Sequence, residues 1–520
     1  MDLLINLDSA STVPLHRQVY EEIRGAILSG RLASGKKVPS TRALAESLGV
    51  SRATITLSYE CLLSEGYLEA FTGAGTFVCR ELPEDLLQVE SDEFEDAFES
   101  GAAIAEQLIS PDGDIREQAS EAPKPVKKIR HKRLSVYGDS LKQKDWMAFT
   151  AQEPEIQFSY GRPDLSEFPM RLWMQLYQMH SKKRNLTELD SPSNARGYLP
   201  LRQALADYVG RSRAVTCSPD QIIVINGSQQ GINLVTRILV DRGDFVGVEE
   251  PGYLGAQKAL LAQGAVLVPF HVDNNGLRLD ELKSRFAVNS ENPLKLIYVT
   301  PSHQYPTGVV LSLPRRLEML KWAHRTGSYI IEDDYDSEFR YKGRPIPALA
   351  AVDKDGSVIY IGTFSKTLLP ALRLGYLVVP EELVDVFARA KWLADRHSPL
   401  LDQQVLADFI NQGHLDRHIR KMRSIYSVRR KLFVETLKKY FGNRISIHGD
   451  NAGINVLVRF DTHLSDKDLV ERARKLGVGL TSTAQLYVGE PRHGEFLLNY
   501  GGLSDEQITD GVDRLAHALA

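Results

Sequence analysis

Six short apolar runs, most of them separated by segments of helix length, constrain this chain more than any other feature. They lie at 221–225, 245–248, 265–268, 295–300, 329–331 and 358–361. Each is continuous and dominated by large apolar residues, with no alternation of polar and apolar positions. A strand reads that way when both of its faces are covered, and parallel sheets flanked by helices cover both. Residues from about 140 onward are therefore expected to form an α/β fold. A smaller α+β piece is expected from about 400 to 520. There is no internal repeat.

At 520 residues the chain is too long for a single core, so more than one domain is expected. Its net charge of −4 exerts no overall attraction on nucleic acid, and any such binding must come from a local patch. Cys61, Cys79 and Cys217 are odd in number and scattered. That argues for a reducing compartment and against a disulfide framework or a zinc site. The opening Met-Asp-Leu-Leu-Ile-Asn-Leu-Asp has no basic segment ahead of a long apolar one, so it does not read as a signal peptide. No apolar stretch approaches the roughly 20 residues needed to cross a bilayer. A cytoplasmic protein without membrane partners is the expectation.

Residues 12–80 have a different grammar, and 39–59 reads as a helix–turn–helix. Ser40 is placed to cap one helix, Gly49 to end it in a left-handed conformation, and Ser51 to cap the next. Ala43, Leu44 and Leu48 are expected to pack inward with Ile55, Tyr59 and Leu62. That leaves Arg52, Thr54 and Thr56 near the start of the second helix, where a recognition helix meets base edges and phosphates. Gly66 stops that helix, and 66–78 alternates around a Gly-rich turn, the pattern of a hairpin whose tip lets backbone approach a groove. Capped helix pairs also serve as plain packing modules, and the acids and bases of 1–80 balance, so the pattern alone leaves both readings open. The whole string resembles the GntR-type winged helix: Pro14-Leu-His-Arg-Gln-Val-Tyr20, Gly30-Arg-Leu, Val38-Pro-Ser-Thr-Arg42, Val50-Ser-Arg52 and Gly75-Thr-Phe-Val78. The resemblance implies double-stranded operator DNA as a partner, contacted by Arg42, Arg52 and the wing glycine Gly75. Ser51, Thr54 and Thr56 complete the candidate interface.

From 81 to 115 there is no Lys or Arg and acids dominate; 123–133 then reverses the sign with six lysines and arginines. Segregated charge with few aromatics argues for a flexible linker over 81–139. The basic run could touch DNA phosphates, but a solvated linker is the favoured reading.

Five motifs follow the apolar runs in order. Asn226-Gly-Ser228-Gln229-Gln230-Gly231 opens a helix after a strand, where backbone N–H groups and small polar side chains can cradle a phosphate. Glu249-Glu-Pro251-Gly-Tyr253 offers an aromatic that can stack on a ring. Thr300-Pro-Ser-His303-Gln304-Tyr305-Pro306-Thr-Gly308 offers polar side chains, Gln304 among them, to a ring oxygen. Glu332-Asp333-Asp334-Tyr335-Asp336 ends a strand with a carboxylate that can face a ring nitrogen, a charge-assisted bond worth roughly 1.5–3 kcal/mol. Four acids in five positions also invite a metal ion, but no histidine stands beside them and none is expected. Each motif alone is an ordinary turn or strand end. Last comes Ser365-Lys366, with Arg373 seven residues on. A lysine projecting from a small-polar turn can form a Schiff base with an aldehyde cofactor, and Ser365 and Arg373 lie close enough to grip its phosphate. In this order the motifs point to pyridoxal 5′-phosphate.

The same motifs resemble those of fold-type-I, class I aminotransferases over nearly all of 150–520. The resemblance makes Lys366 the Schiff-base lysine and pairs Asp333 with the pyridine nitrogen. It places Tyr335 at the phenolic oxygen and Tyr253 on the ring, and gives the phosphate to Ser228, Gln229, Ser365 and Arg373. Arg196-Gly-Tyr198-Leu-Pro200-Leu-Arg202 matches a segment whose tyrosine reaches the phosphate of the other subunit, which implies a homodimer and a role for Tyr198. A GntR-type head at 12–80, a linker, and an aminotransferase-like body at 140–520 together resemble the MocR family of bacterial transcription regulators. This implies a pyridoxal-phosphate-dependent regulator whose effector is an amine, an amino acid or a B6 vitamer.

Two departures shape that expectation. Tyr305 stands where aminotransferases usually carry asparagine before Pro-Thr-Gly. Gly255 stands where the GABA-responsive member carries an arginine, and Asn499-Tyr500-Gly-Gly occupies the region where aminotransferases often hold a carboxylate with one. Sustained turnover is therefore not expected, nor an effector held as GABA is. Two other readings stay open. A working aminotransferase with an accessory DNA-binding domain would make keto acid steadily. A DNA-binding protein whose body is only a dimerisation scaffold would fail to bind cofactor.

Overall fold

The computed structural model describes residues 5, 7–8, 11, 13–71, 73–80, 82, 134–142, 154–158, 161–182, 194–286, 293–341 and 347–520. The chain divides into two compact units, Met1–Ile129 and Arg130–Ala520. The linker expected over 81–139 falls outside the described residues, apart from Leu82 and 134–139. Val136–Ser140, at its far end, is a short helix whose start is capped by Ser135.

The described residues of the first unit form three helices, α1 (Leu15–Leu28), α2 (Thr41–Leu48) and α3 (Arg52–Ser64), then an antiparallel hairpin of β1 (Leu68–Phe71) and β2 (Gly75–Val78). The caps fall where the sequence puts them. Ser40 Oγ accepts from the Ala43 N–H at 3.2 Å, Gly49 ends α2 at φ 65°, and Ser51 Oγ accepts from the Thr54 N–H at 3.1 Å. Leu44, Ile55, Tyr59 and Leu62 are buried in one core with Val19, Ile23 and Val78. Ala43 does not pack inward as expected; it is exposed, and Ala45 takes the buried place. The cap at Ser40 sets the phase of α2, and a period of 3.6 residues then turns 44, 45 and 48 toward α3.

The second unit opens with β3 (Ile156–Gln157) and builds one large sheet from β4 (Ile222–Ile225), β5 (Phe245–Glu250), β6 (Val266–Asp273), β7 (Gly276–Leu277), β8 (Leu294–Val299), β9 (Tyr329–Asp334), β10 (Val358–Thr363) and β11 (Gly375–Val378). The order is β4-β11-β10-β9-β8-β5-β6-β7. Strands β10, β9, β8, β5 and β6 run parallel, and β11 lies antiparallel between β4 and β10. All six expected strands form. Their lack of alternation has a direct cause: Ile223 and Ile225 enter one core while Ile222 and Val224 enter another. β11 is not among the six expected runs. β5 and β9 continue past their apolar residues, through Glu249–Glu250 and Glu332–Asp334. Those polar ends lie at the carboxyl edge of the sheet, where open α/β sheets place their ligands.

The smaller piece begins later than expected. The helix Leu400–Asn411 packs Val405, Leu406, Phe409 and Ile410 into the core of the large sheet, against Leu201 and Leu205. The second core starts in the long helix His414–Phe441. It includes β12 (Ile445–His448), β13 (Asn455–Phe460), β14 (Val478–Gly479), β15 (Glu495–Asn499) and the helix Asp505–Leu519. β3 joins this core from far upstream by pairing in parallel with β14. No helix among the described residues is long and apolar enough to cross a membrane.

The helix Ser228–Leu239 lies so close to the sheet that a Cβ on Gly231 would come within 2.7 Å of Ile225 Cδ1 and 3.0 Å of Leu377 Cδ2. Overpacking here should outweigh the gain in helix propensity, so Gly231→Ala is expected to lose about 1–2 kcal/mol. Chemical denaturation should show a lower midpoint at unchanged slope. A variant as stable as the parent would mean that the sheet yields freely at this contact.

Candidate functional site

The ends of β5 and β9, the start of the helix Ser228–Leu239 and the turn after β10 converge on one cavity of ≈ 160 Å³. Lys366, Asp333, Tyr335, Ser228, Gln229, Tyr253, Ser365 and Arg373 all line it. Lys366 Nζ donates to the Gly161 carbonyl at 2.6 Å. Burial holds its pKa below the ordinary lysine value, and the Asp336 carboxylate opposes this only in part. The form thus favoured is the neutral amine, which is the nucleophile.

Asp333 is buried near the end of β9. Its Oδ2 accepts from the Tyr298 hydroxyl at 2.6 Å, while Oδ1 has no hydrogen-bond partner. Burial pushes the Asp333 pKa up to about 7; Tyr298 lowers it, and the charges of Asp334 and Asp336 raise it further. A dry carboxylate oxygen without a donor calls for a cation or an N–H group from outside the protein.

The helix Ser228–Leu239 starts at Gly227 with no side-chain cap, so its first N–H groups project from its end. Arg373 lies against this turn. Its Nη2 donates to the Asn226 carbonyl at 3.2 Å, and a Cβ on Gly227 would come within 2.5 Å of it. Helix N–H groups, a guanidinium and the hydroxyls of Ser228 and Ser365 around one cavity form a cradle for an anion. Asp395 braces the cradle from behind. It accepts from Asn226 Nδ2 at 2.6 Å and from Gln230 Nε2 at 2.7 Å, and pairs with the buried Lys391 at 2.5 Å.

Aromatic rings form another wall. Tyr305 meets Tyr253 edge to face at 5.7 Å and Tyr335 at 5.9 Å. The Tyr335 hydroxyl lies 3.2 Å from His303 Nδ1, which Asp336 holds at 2.9 Å.

Gln304 is not brought to this cavity, and Tyr198, expected at the phosphate of the other subunit, lies away from it. Gln304 spends its amide inside its own turn: Nε2 donates to the Pro251 and Tyr305 carbonyls, and Oε1 accepts from the Thr307 N–H and hydroxyl. Its neighbour Tyr305 lines the cavity instead. Tyr198 precedes the helix Leu199–Arg213, with its N–H donating to Gln403 Oε1 at 2.8 Å, away from the lining. Tyr298, Gly161 and Asn455 line the cavity and were not singled out in the sequence. Tyr298 carries a signal, since a tyrosine inside a buried strand must satisfy its hydroxyl. Gly161 and Asn455 carry none. Asn499 donates to Asn455 Oδ1 at 3.0 Å and so orients it. A Cβ on Gly255 would come within 2.4 Å of Gln229 Oε1 and 2.6 Å of the Tyr253 ring, so an arginine there would displace two lining residues.

In the first unit, Arg42, Ser51 and Arg52 are exposed, Thr54 and Thr56 are half-buried, and Gly75 opens β2 in the hairpin. Arg42 pairs with Glu46 one turn along at 3.1 Å. Both side chains are solvated, so the pair is weak and a phosphate can replace it.

Residues 15–78 match the family model of bacterial regulatory proteins of the gntR family, and 156–515 match that of class I and II aminotransferases. The chain is 35% identical over 516 residues to the probable rhizopine catabolism regulatory protein MocR of Rhizobium meliloti, covering 99% of this chain and 96% of that one. It is 33% identical over 520 residues to the uncharacterized HTH-type transcriptional regulator YhdI of Bacillus subtilis, covering 100% and 99%. Among solved structures, kynurenine aminotransferase of Pyrococcus horikoshii, in complex with PMP, superposes with a TM-score of 0.66 at 27% identity, over 76% of this chain and 96% of that one. A GntR-type winged helix is thus followed in the chain by a fold-type-I aminotransferase fold, in the order its full-length relatives share. The chain belongs to the MocR family of transcription regulators.

Proposed function

We propose that the protein controls transcription from an operator bound by its winged helix, and that a small amine, amino acid or B6 vitamer sets this control from a pyridoxal-phosphate site around Lys366. The observation that carries the reading is a pairing within one cavity. A half-buried lysine held below its usual pKa shares it with a buried carboxylate oxygen that lacks a partner.

Pyridoxal phosphate, when bound, supplies an aldehyde for an amine and a ring that accepts electron density. Lys366, whose amine loses its proton more readily than an ordinary lysine's, is the amine offered to it. Asp333 Oδ1 is suited to the ring N–H, and its charge keeps that nitrogen protonated. Ser228, Gln229, Ser365 and Arg373 are assigned to the phosphate, Tyr253 to the ring face and Tyr335 to the phenolic oxygen. Tyr198 is assigned to the other subunit's phosphate in a homodimer. Were an amine to take the place of Lys366, Nζ would be able to hold a proton beside Asp336, and that change of charge would bias a two-state body. Among the described lining residues Arg373 is the only guanidinium, and it is assigned to the phosphate. Among those residues no second guanidinium would then orient a substrate carboxylate, which weakens the case for turnover.

Three outcomes are expected. Titrating the loaded full-length protein with amines should shift the cofactor absorbance and change operator affinity over the same concentration range. Borohydride should leave cofactor mass on the peptide that contains Lys366, and Lys366→Ala should lose both responses. Steady keto-acid production with unmoved DNA affinity would make the protein an aminotransferase instead.

Asp333 offers a test of the site itself. Its folded pKa of about 7 lies above the ordinary carboxylate value of about 4. Between those values the folded chain binds more protons than the unfolded one, so this group's contribution to stability falls as pH rises from about 4 to 7. Stripped of cofactor, Asp333→Asn should be more stable than the parent at pH 8, on the order of 2–4 kcal/mol, with the gap closing toward pH 4. Denaturation series across that range measure it. Equal stability at pH 8 would show that the carboxylate already has a partner.

Arg52→Ala should weaken operator binding and lower the slope of log affinity against log salt by about one unit, as for a lost phosphate contact. An unchanged slope in a binding assay at several salt concentrations would remove Arg52 from the interface.

A further inference from the structure

We infer that a second cavity in the aminotransferase-like unit, ≈ 490 Å³ in volume, binds a small polyanion. It lies between the end of the helix Leu199–Arg213, the segment that follows β9 and the first turns of the helix His414–Phe441. Five arginines line it, Arg211, Arg213, Arg340, Arg420 and Arg423, against two carboxylates, Glu338 and Asp416.

The arginines are not equivalent. Arg213 is buried and answered: it meets Asp334 Oδ2 at 2.5 Å and donates to Ser302 Oγ at 2.5 Å. Arg423 donates to the Glu338 carbonyl at 2.9 Å, and the Glu338 side chain accepts from the Tyr208 hydroxyl at 3.0 Å. Arg340 is different. Arg213 Nε has the Asp334 carboxylate against it, whereas among the described residues Arg340 Nε is buried with neither a hydrogen-bond partner nor an ion pair, and the hydroxyl oxygen of Ser337 beside it in the lining is likewise unpartnered. Buried donors without acceptors are rare. A carboxyl group in this position can take up a proton, but a guanidinium stays charged and must find an acceptor. Water can satisfy one N–H, but it leaves the excess of positive charge unanswered. An acceptor with several anionic oxygens satisfies both, and guanidinium forks match carboxylate and phosphate oxygens two at a time. The chemical class is therefore a small acid with two or more anionic groups, carboxylate or phosphate.

The cavity sits behind the amine site along the same short segments. Asp334, which holds Arg213, follows Asp333; Ser302 precedes His303; Ser337 follows Asp336. Ser302 and Ser337, which line this cavity, stand two residues from Thr300 and Tyr335 respectively, which line the first, so a ligand here is placed to modulate that site. Only this regulatory consequence rests on the function proposed above; the binding itself does not.

The test uses full-length protein loaded with pyridoxal phosphate and fixed by borohydride, so that the first cavity's anion cradle is filled. Citrate and, separately, pyrophosphate are titrated by calorimetry at constant ionic strength. Saturable binding of one anion per chain is expected, with the cofactor absorbance unchanged. The tighter of the two tells carboxylate from phosphate chemistry. Arg340→Gln should weaken binding roughly tenfold or more, the loss of a charge-assisted contact. Arg423→Gln and Arg420→Gln, at exposed positions, should each weaken it less, and they carry the test alone if Arg340→Gln does not fold. No saturation with either anion, equal affinity in all the variants that fold, or binding seen only in cofactor-free protein would overturn the assignment. Absence of the amine response in unreduced protein, with anion binding intact in the fixed protein, would count against the regulatory reading of the first site and leave the second standing.

Discussion

The aminotransferase-like unit depends on keeping four carboxylates dry at the end of one strand. Glu332, Asp333, Asp334 and Asp336 lie within five positions, and all are buried. The fold separates them by giving each a different answer. Glu332 accepts from the Leu349 and Ala350 N–H groups, both at 2.8 Å. Asp334 takes Arg213 and the Tyr360 hydroxyl, and Asp336 takes His303. Asp333 has Tyr298 on one oxygen and nothing on the other. Like charges this close raise one another's proton affinity unless partners intervene. The unmet oxygen of Asp333 is the remainder of that arrangement, and it faces the cavity that Lys366 lines.

This division of partners also decides how much could be read in the sequence. The strands were legible because burial on both faces forces continuous apolar runs, and the site residues sit where those runs give way to polar ones. Ser228, Tyr253, Asp333 and Lys366 each stand at or just beyond such a boundary. The helix caps at Ser40 and Ser51 were legible because capping is a contact between near neighbours. Ala43 is exposed and Ala45 buried in its place, because the phase that the Ser40 cap sets turns 44, 45 and 48 to one side of α2; two alanines in one helix turn do not distinguish themselves by residue type. What escaped has partners far away in the chain. β3 pairs with β14, Lys366 meets Gly161, and Asn499 orients Asn455, and no local pattern marks any of these. The helix Leu400–Asn411 looks like the start of the smaller piece in sequence, yet its apolar face joins the core of the large sheet.

Gln304 and Tyr305 show how a motif can point to the right turn and the wrong side chain. Both are polar, both follow β8, and either could reach a ring oxygen on spacing alone. The turn needs an amide that both donates and accepts to tie Pro251 to Thr307, and glutamine supplies it. Tyrosine cannot do that, so it is the residue left to face the cavity. The same reasoning applies at Gly255. There the backbone carbonyl accepts from Gln229 Nε2 at 2.9 Å, and a side chain would collide with the groups that this contact positions.

A site of this kind can separate recognition of an amine from turnover. Exchange of one amine for another at the cofactor aldehyde needs a neutral lysine and a protonated ring nitrogen, and Lys366 and Asp333 are suited to supply those. Turnover needs more: the substrate must be held with one bond aligned to the ring through two half-reactions, and that alignment ordinarily rests on a second fixed cation. In this chain Asn499 occupies the region where such a cation would be looked for, and its amide is engaged with Asn455 and the Ile454 carbonyl. On the proposed function, an amine bound without that clamp would reach the exchange step and gain little toward the next. Its binding energy is then available to shift a conformational equilibrium, by no more than the difference in its affinity for the two states. That is the property a regulator requires, and it follows from removing one interaction from a catalytic site while keeping the lysine and the carboxylate.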